Sequence, residues 1–278
     1  MRRAELDRIR AFLSDLEDRA ARRIDPVLGG VALFNDQVPN VWFANQIRLD
    51  AEADMTAGEV TAEAERVQGA ASLGHRQVIV YDGAAGTRLA PGLRALGWDV
   101  ERVMVMVQQE APEEPLVTSS VRELLDGSWR RFRHHTNEDL EPETKRQMAV
   151  ARERLIETVG LRMFGIDLDG VVASGCDFFS DGATAQIEAV GTLAPYRNRG
   201  LAKQVVWRCV EEARSLGHNL IFLLADADDW PRTLYRRMGF KEIGSFYEFA
   251  KVVNGPTHHR RRLTAARSLN REMPDLTA

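Results

Sequence analysis

The sequence has few residues that could crosslink it or anchor it in a membrane. Only two of the 278 residues are cysteines, Cys176 and Cys209, which is too few for a disulfide framework, and their spacing matches no zinc motif. No apolar run approaches the roughly 20 residues that span a bilayer. The N-terminal segment also lacks the continuous apolar core of a secretion signal. We therefore expect a cytoplasmic protein with no metal site and no membrane partner.

Charge is unevenly distributed along the chain. The formal net charge is −4, but residues 251–278 contain six basic and two acidic residues, so this segment has a net charge of +4 and residues 1–250 have −8. Nucleic-acid-binding domains are usually basic, and no nucleic-acid-binding motif is present. We interpret the basic segment as a solvated tail, and recruitment of nucleic acid by this tail stays open as the alternative.

The tetrapeptide Ser-Leu-Gly-His occurs twice, at 72–75 and at 215–218. A helix-like stretch precedes each copy, and a short apolar strand, a second helix, a glycine–aromatic pair and a further strand follow it. This shared order predicts an α/β fold of two related units, with helices packed on a mixed sheet. We place the boundary in an acidic, proline-containing stretch, so that a domain at 1–112 is followed by one at 113–252 and by the basic tail at 253–278.

Within the second unit, the pattern predicts a series of strands and helices. We expect a strand at 116–118, helices near 120–134 and 142–159, and three consecutive strands at 161–167, 171–179 and 184–193. An amphipathic helix at 201–216 and a strand at 220–225 follow.

A basic turn, Arg197-Asn198-Arg199-Gly200-Leu201-Ala202, joins the third of the consecutive strands to the amphipathic helix. Backbone N–H groups at such a turn, the positive end of the helix and two arginines suit a phosphate group. The turn is neither a Walker loop nor a GxGxxG motif. From the turn alone, a phosphate site and a simple helix start with solvated arginines both stay open.

Residues 197–202 resemble the acyl-CoA pyrophosphate loop, R/Q-x-x-G-x-G/A, of the GNAT N-acetyltransferases. Residues 234–240, Leu-Tyr-Arg-Arg-Met-Gly-Phe, are similar to the L-Y-x-x-x-G-F signature of the same family. The resemblance extends over roughly 113–252, with both motifs in the family's order. It implies the GNAT fold, with acetyl-CoA as co-substrate. One departure is Asp228, where many members have an asparagine that contacts the cofactor.

The resemblance also implies roles for individual residues. Glu188 would be the base that deprotonates the acceptor amine, and Tyr235 would protonate the leaving thiolate, because a hydroxyl of pKa about 10 can protonate a thiolate of pKa about 8.5. Tyr235 could instead be a packed aromatic, and Glu188 a solvent-facing residue or a binder of the amine's charge. The cofactor contacts that the resemblance implies are Val190, Gly191, Thr192, Leu193, Arg197, Asn198, Arg199, Gly200, Leu201, Ala202 and Asp228.

The first unit lacks the corresponding groups. At the repeat offset, Asp54 and Glu59 replace Arg197 and Ala202, and Leu93 replaces Tyr235. Like charges would repel a pyrophosphate there. We therefore predict that residues 1–112 form a degenerate GNAT-like domain that packs on the active unit or lines its substrate cleft.

The sequence thus favours an acetyl-CoA-dependent N-acetyltransferase that acts on a primary amine of a small molecule. Two alternatives stay open: a protein or peptide amine acetyltransferase, and a non-catalytic acyl-CoA-binding sensor. We expect a small-molecule amine as the partner, and we leave a homodimer open.

Overall fold

The computed structural model describes residues 2–137, 139–228 and 230–253, which form helices around one mixed sheet of eleven strands. The predicted basic tail lies outside these residues except for Val253. The first half contains α1 (Arg2–Ala20), β1 (Arg23–Val27), β2 (Gly30–Phe34), β3 (Ile47–Leu49), α2 (Ala57–Ala64), β4 (His75–Val80), α3 (Gly83–Ala95) and β5 (Asp99–Gln108). The second half contains β6 (Val121–Glu123), α4 (Ser128–Thr136), α5 (Pro142–Val159), β7 (Arg162–Leu168), β8 (Val171–Ser180), β9 (Thr184–Thr192), α6 (Leu201–Ser215), β10 (Leu220–Asp226), α7 (Pro231–Arg237) and β11 (Phe240–Val252).

The predicted mixed α/β sheet is confirmed, and its strand order is β1-β2-β3-β4-β11-β5-β10-β9-β8-β7-β6. The last strand of each half lies beside a strand of the other half. β11 pairs antiparallel with β4, and β5 pairs antiparallel with β10. β5 and β11 also pair with each other at the centre. The two halves therefore exchange strands and build one continuous sheet.

The two halves also repeat each other locally. β3 and β4 are parallel, as are β9 and β10, and an antiparallel hairpin precedes each pair. His75 and His218, the histidines of the repeated tetrapeptide, are both buried. This agreement supports the repeat that the sequence indicated. The boundary at 112/113 falls in the connection between β5 and β6 and stays a prediction.

Apolar faces of the helices cover the sheet. The stripe of α6 that includes Val205, Cys209 and Ala213 is fully buried against the sheet strands, as the sequence pattern predicted. Leu216, the last residue of the helix predicted at 201–216, lies just after the end of α6 at Ser215 and is half exposed. On another helix, Phe12 of α1 packs edge-to-face against Phe222 at a ring-centroid distance of 5.6 Å.

Two local predictions for the start of the second half are wrong. The strand expected at 116–118 lies instead at Val121–Glu123, and the helix expected from 120 begins only at Ser128. Gly127 explains the second difference, because its φ of +73° places it in the left-handed region just before the helix. The three strands that follow α5 lie within a residue or two of their expected positions.

Candidate functional site

Strands β9 and β10 separate next to Glu188. β9 pairs in parallel with β10 only over Thr184–Ile187 within the described sheet. On its other edge, β9 contains a bulge against β8: Gly191 faces Gly175 and Glu188 faces Asp177, so two residues of β9 lie opposite one of β8. Ala189, the first bulge residue, has a φ of +51°. A bulge bends its strand, and β9 thus presents backbone groups of residues 188–192 towards the gap.

The loop after β9 ends at a helix start that lacks a side-chain cap. Asn198 and Gly200 have positive φ values of +62° and +72°, and Gly200 directly precedes α6 without a side-chain cap hydrogen bond. The first N–H groups of α6 are therefore available for an external acceptor. Arg197 and Arg199 lie on the same loop, where Arg197 Nε donates to the carbonyl of Thr192 at 3.4 Å and Arg199 Nη2 donates to the carbonyl of Pro195 at 3.3 Å.

The equivalent helix start in the first half is closed by its own side chains. The N–H of Glu59 donates to Thr56 Oγ1 at 3.2 Å, and the N–H of Thr56 donates to Glu59 Oε2 at 2.8 Å. The backbone hydrogen bond from Thr56 is the main cause that lowers the pKa of Glu59. The repeat offset of 143 residues pairs Gly200 with Ala57. In the structure α2 begins at Ala57 and α6 at Leu201, so Thr56 corresponds to Gly200 instead. This shifts the sequence correspondence by one residue.

Tyr235 lies on α7 and belongs to the apolar cluster that packs around α6. It is 8% exposed, and its ring centroid is 6.1 Å from that of Phe240. Leu201 of α6 belongs to the same cluster, and Val190 of the bulge packs against it. The structure therefore brings Tyr235, the bulge and the start of α6 into one region. Asp228 is exposed at the end of β10, and its N–H donates to Asp226 Oδ1 at 2.9 Å.

A cavity of about 140 Å³, here called the inter-half cleft, lies between the two halves of the chain. Glu188, Ala189 and Asp177 line it from the second half, and aromatic residues including Trp42 and Tyr81 line it from the first half. Glu188 accepts a hydrogen bond from Gln186 Nε2 at 2.8 Å. The predicted base thus borders a cleft that both halves build.

A buried charge network lies next to Glu188. Asp177 Oδ1 accepts from Arg133 Nη2 at 2.6 Å, and Arg152 donates to Asp177 Oδ2. Arg133 Nη1 also donates to the carbonyl of Ala189 in the bulge at 2.8 Å. Burial raises the pKa of Asp177, but the two arginines outweigh this effect and hold it below the ordinary value of 3.8. Sequence reasoning missed this network because its members come from α4, α5 and β8, with no characteristic spacing.

Comparison with known proteins agrees with this geometry. Residues 120–240 match the model of the acetyltransferase (GNAT) family. The match covers both motifs on which the resemblance was based, so this segment is similar to the GNAT family along its length. The search of curated proteins found no match.

Solved structures show the same fold over most of the chain. A GCN5-related N-acetyltransferase from Kribbella flavida is similar with a TM-score of 0.62 at 19% identity, covering 88% of this chain and 94% of that one. A GCN5-related N-acetyltransferase from Sphaerobacter thermophilus has a TM-score of 0.56 at 17% identity, covering 82% and 78%. A functionally unknown conserved protein from Staphylococcus epidermidis has a TM-score of 0.62 at 15% identity, covering 84% and 94%. The GNAT fold predicted from the sequence is therefore confirmed.

None of the described helices is both long enough and apolar enough to span a membrane. Within the same residues, no group of three or more His, Cys, Asp or Glu side chains could hold a metal ion.

Proposed function

We propose that this chain is an acetyl-CoA-dependent N-acetyltransferase that acts on a primary amine of a small molecule. The observation that supports this most directly is the bulge at Ala189 and Val190, which lies where β9 leaves β10 and faces a cleft lined by Glu188. The GNAT family match over residues 120–240 supports an acyl-CoA-dependent reaction.

The residues at the open end of β9 fit the shape and charge of an acyl-CoA. Arg197, Arg199 and the uncapped N–H groups at the start of α6 would hold the pyrophosphate. Backbone groups of residues 190–193 would pair with the extended pantetheine arm. Asp228 is exposed and negative, so we assign it no stabilising contact with the phosphates.

In the proposed reaction, each of three groups of the protein carries out one step. Glu188 accepts a proton from the acceptor ammonium, directly or through water, so that the neutral amine can attack the thioester carbonyl. The N–H of Val190 donates to the oxyanion that forms in this attack. As the C–S bond breaks, the Tyr235 hydroxyl donates its proton to the thiolate.

The test is CoA release with a panel of small primary amines. We expect Tyr235→Phe and Glu188→Gln each to lower kcat by roughly 10²- to 10³-fold, because each variant removes a proton-transfer group. Binding of acetyl-CoA, measured by calorimetry, should stay within about twofold of wild type, since neither side chain is assigned to the pyrophosphate.

Two outcomes would contradict the proposal. Tight binding of acetyl-CoA without turnover of any amine would favour a sensor. Full activity of Tyr235→Phe would show that the hydroxyl takes no part in the reaction. The role of Tyr235 would then be to pack against Phe240.

A further inference from the structure

A second cavity lies between α4 and α5 and has a strongly basic lining. This cavity, here called the α4–α5 groove, has a volume of about 370 Å³. Its lining residues include Arg130, Arg133, Lys145, Arg146 and Arg152, and none of its described lining residues is an aspartate or glutamate. A concave basic surface on a chain of net negative charge is a site for an anion.

The basic residues at the rim of the groove pair with exposed carboxylates. Arg130 contacts Glu153 at 3.0 Å, and Arg146 contacts Glu143 at 2.6 Å. Ion pairs of this exposed kind contribute little stability and rearrange readily. The rim guanidinium groups can therefore turn towards a bound anion at small cost.

The two arginines at the base of the groove are different, because they are buried and share one carboxylate. The side chains of Arg133 and Arg152 are 6% and 8% exposed, and both donate to Asp177. This network has a formal charge of +1. The Nε atoms of both arginines are buried and have no hydrogen-bond partner among the described residues. Unpartnered buried donors cost stability, and an anion in the groove would offset the excess charge.

The groove adjoins the proposed catalytic base. Arg152 lines both the α4–α5 groove and the inter-half cleft. Asp177, which holds Arg152, lies directly opposite Glu188 in the pairing of β8 with β9, and side chains in such a pair are neighbours. Glu188 and the groove therefore border the same Arg152–Asp177 ion pair, and a ligand that contacts both has to span this pair.

From this arrangement we propose that the acceptor is a primary amine that also has an anionic group, a carboxylate or a phosphate. The anionic group binds in the α4–α5 groove between α4 and α5, and the amine lies at Glu188. The proposal rests on the proposed acetyltransferase function for the reaction, but anion binding in the groove can be tested without turnover.

In the first experiment, calorimetry follows the titration of the protein with inorganic phosphate. Saturating CoA is present, so that the loop at Arg197 and Arg199 is occupied and cannot bind the phosphate. The comparison is between wild type, the double variant Lys145→Gln/Arg146→Gln, and the control Arg131→Gln, an exposed residue of α4 that does not line the groove. We expect the double variant to bind phosphate about tenfold more weakly, and Arg131→Gln to bind as wild type does.

Absence of phosphate binding in wild type, or equal binding by all three proteins, would overturn the proposal. If the chain does not bind CoA, the proposed function fails. The same titration in an Arg197→Gln/Arg199→Gln background then still decides whether the groove binds an anion.

The second experiment compares amines that differ only in the anionic group. Phenylalanine is paired with phenethylamine, and O-phosphoethanolamine with ethanolamine. We expect kcat/KM to be at least about tenfold higher for the anionic member of one pair, which also identifies carboxylate or phosphate as the group. The double variant should raise KM for that member and leave the KM for its partner without the anionic group unchanged. An equal or higher kcat/KM for both amines that lack the anionic group would contradict the proposal.

Discussion

Asp177 accepts hydrogen bonds from two buried guanidinium groups and so determines how three elements meet. Its partners are Arg133 of α4 and Arg152 of α5, and Arg133 also donates a hydrogen bond to the carbonyl of Ala189 in the bulge. A buried charge of this kind is costly unless it is paired. The network therefore fixes the position of the bulge that we assign to the reaction, and it does so through a residue that has no direct role in the chemistry.

Replacing this carboxylate should have a large effect on stability. Asp177→Asn leaves Arg133 and Arg152 buried without a charged partner, and we expect it to lower the free energy of unfolding by about 3–5 kcal/mol. Urea denaturation at neutral pH measures the loss, with Glu157→Gln, an exposed residue of α5, as the control. A loss below about 1 kcal/mol would show that the two arginines do not depend on Asp177.

His75 predicts a pH dependence of stability. Burial lowers its pKa from 6.5 to about 4, although its Nε2 contacts the carbonyl of Asn45 at 3.2 Å. The unfolded chain therefore binds more protons than the folded one between these two pH values. Stability from this residue is complete above pH 6.5 and is lost as the pH falls towards 4, by roughly 3 kcal/mol.

The measurement is urea unfolding at pH 7.5 and at pH 4.5. We expect His75→Gln to show a smaller difference between the two pH values than wild type, while His135→Gln, at an exposed position, should match wild type. The same difference in all three proteins would contradict the assignment.

At the scale of elements, the two related helix starts differ in what satisfies their N–H groups. A threonine and a glutamate close the start of α2, whereas Gly200 precedes α6 without a side-chain cap. An open helix start favours an external anion, and a closed one repels it. This difference distinguishes a helix that can bind a phosphate from its structural counterpart that cannot.

Closing α6 in the same way should abolish cofactor binding. Gly200→Asp places a carboxylate at the cap, and we expect the Kd for acetyl-CoA to rise at least about 100-fold because the carboxylate competes with the pyrophosphate. Gly200→Ala is the matched control. The Cβ of this alanine would have no neighbouring atom within 4 Å, but residue 200 has a φ of +72°. Gly200→Ala therefore adds the backbone strain of a side chain at this position without adding a charge. Equal loss of binding in both variants would point to strain alone.

The sequence predicted the elements that have local signals, and it missed those that depend on distant partners. The three strands after α5, the α6 helix and the loop at Arg197 all follow from periodicity and motifs within one segment. β6 was misplaced because a three-residue strand has almost no pattern. The strand exchange between β5 and β11 could not be predicted, because the apolar pattern of a strand does not specify which of two central places in the sheet it occupies.

For the molecule as a whole, the inter-half cleft is lined by residues from both halves of the chain. Trp42 and Tyr81 line the cleft opposite Glu188. Tyr81 is itself held by Glu17, which also contacts Arg48 at 2.8 Å. Both halves therefore line the cleft that we propose as the acceptor site, and of the two related helix starts that of α6 has no side-chain cap.

This division of roles predicts the stoichiometry of cofactor binding. We expect one molecule of acetyl-CoA per chain in calorimetry, because Glu59 occupies the equivalent helix start in the first half. An Arg199→Gln variant should weaken this binding. Two sites of similar affinity per chain would show that the first half is not degenerate.

The exchange of β5 and β11 also affects how the chain is completed during synthesis. β4 and β5 of the first half are separated by β11, which the ribosome makes after every other described strand. The edges of β4 and β5 that pair with β11 therefore stay unpaired until more than 130 residues have followed β5. Long-range pairing of this kind slows folding and exposes edges to other chains.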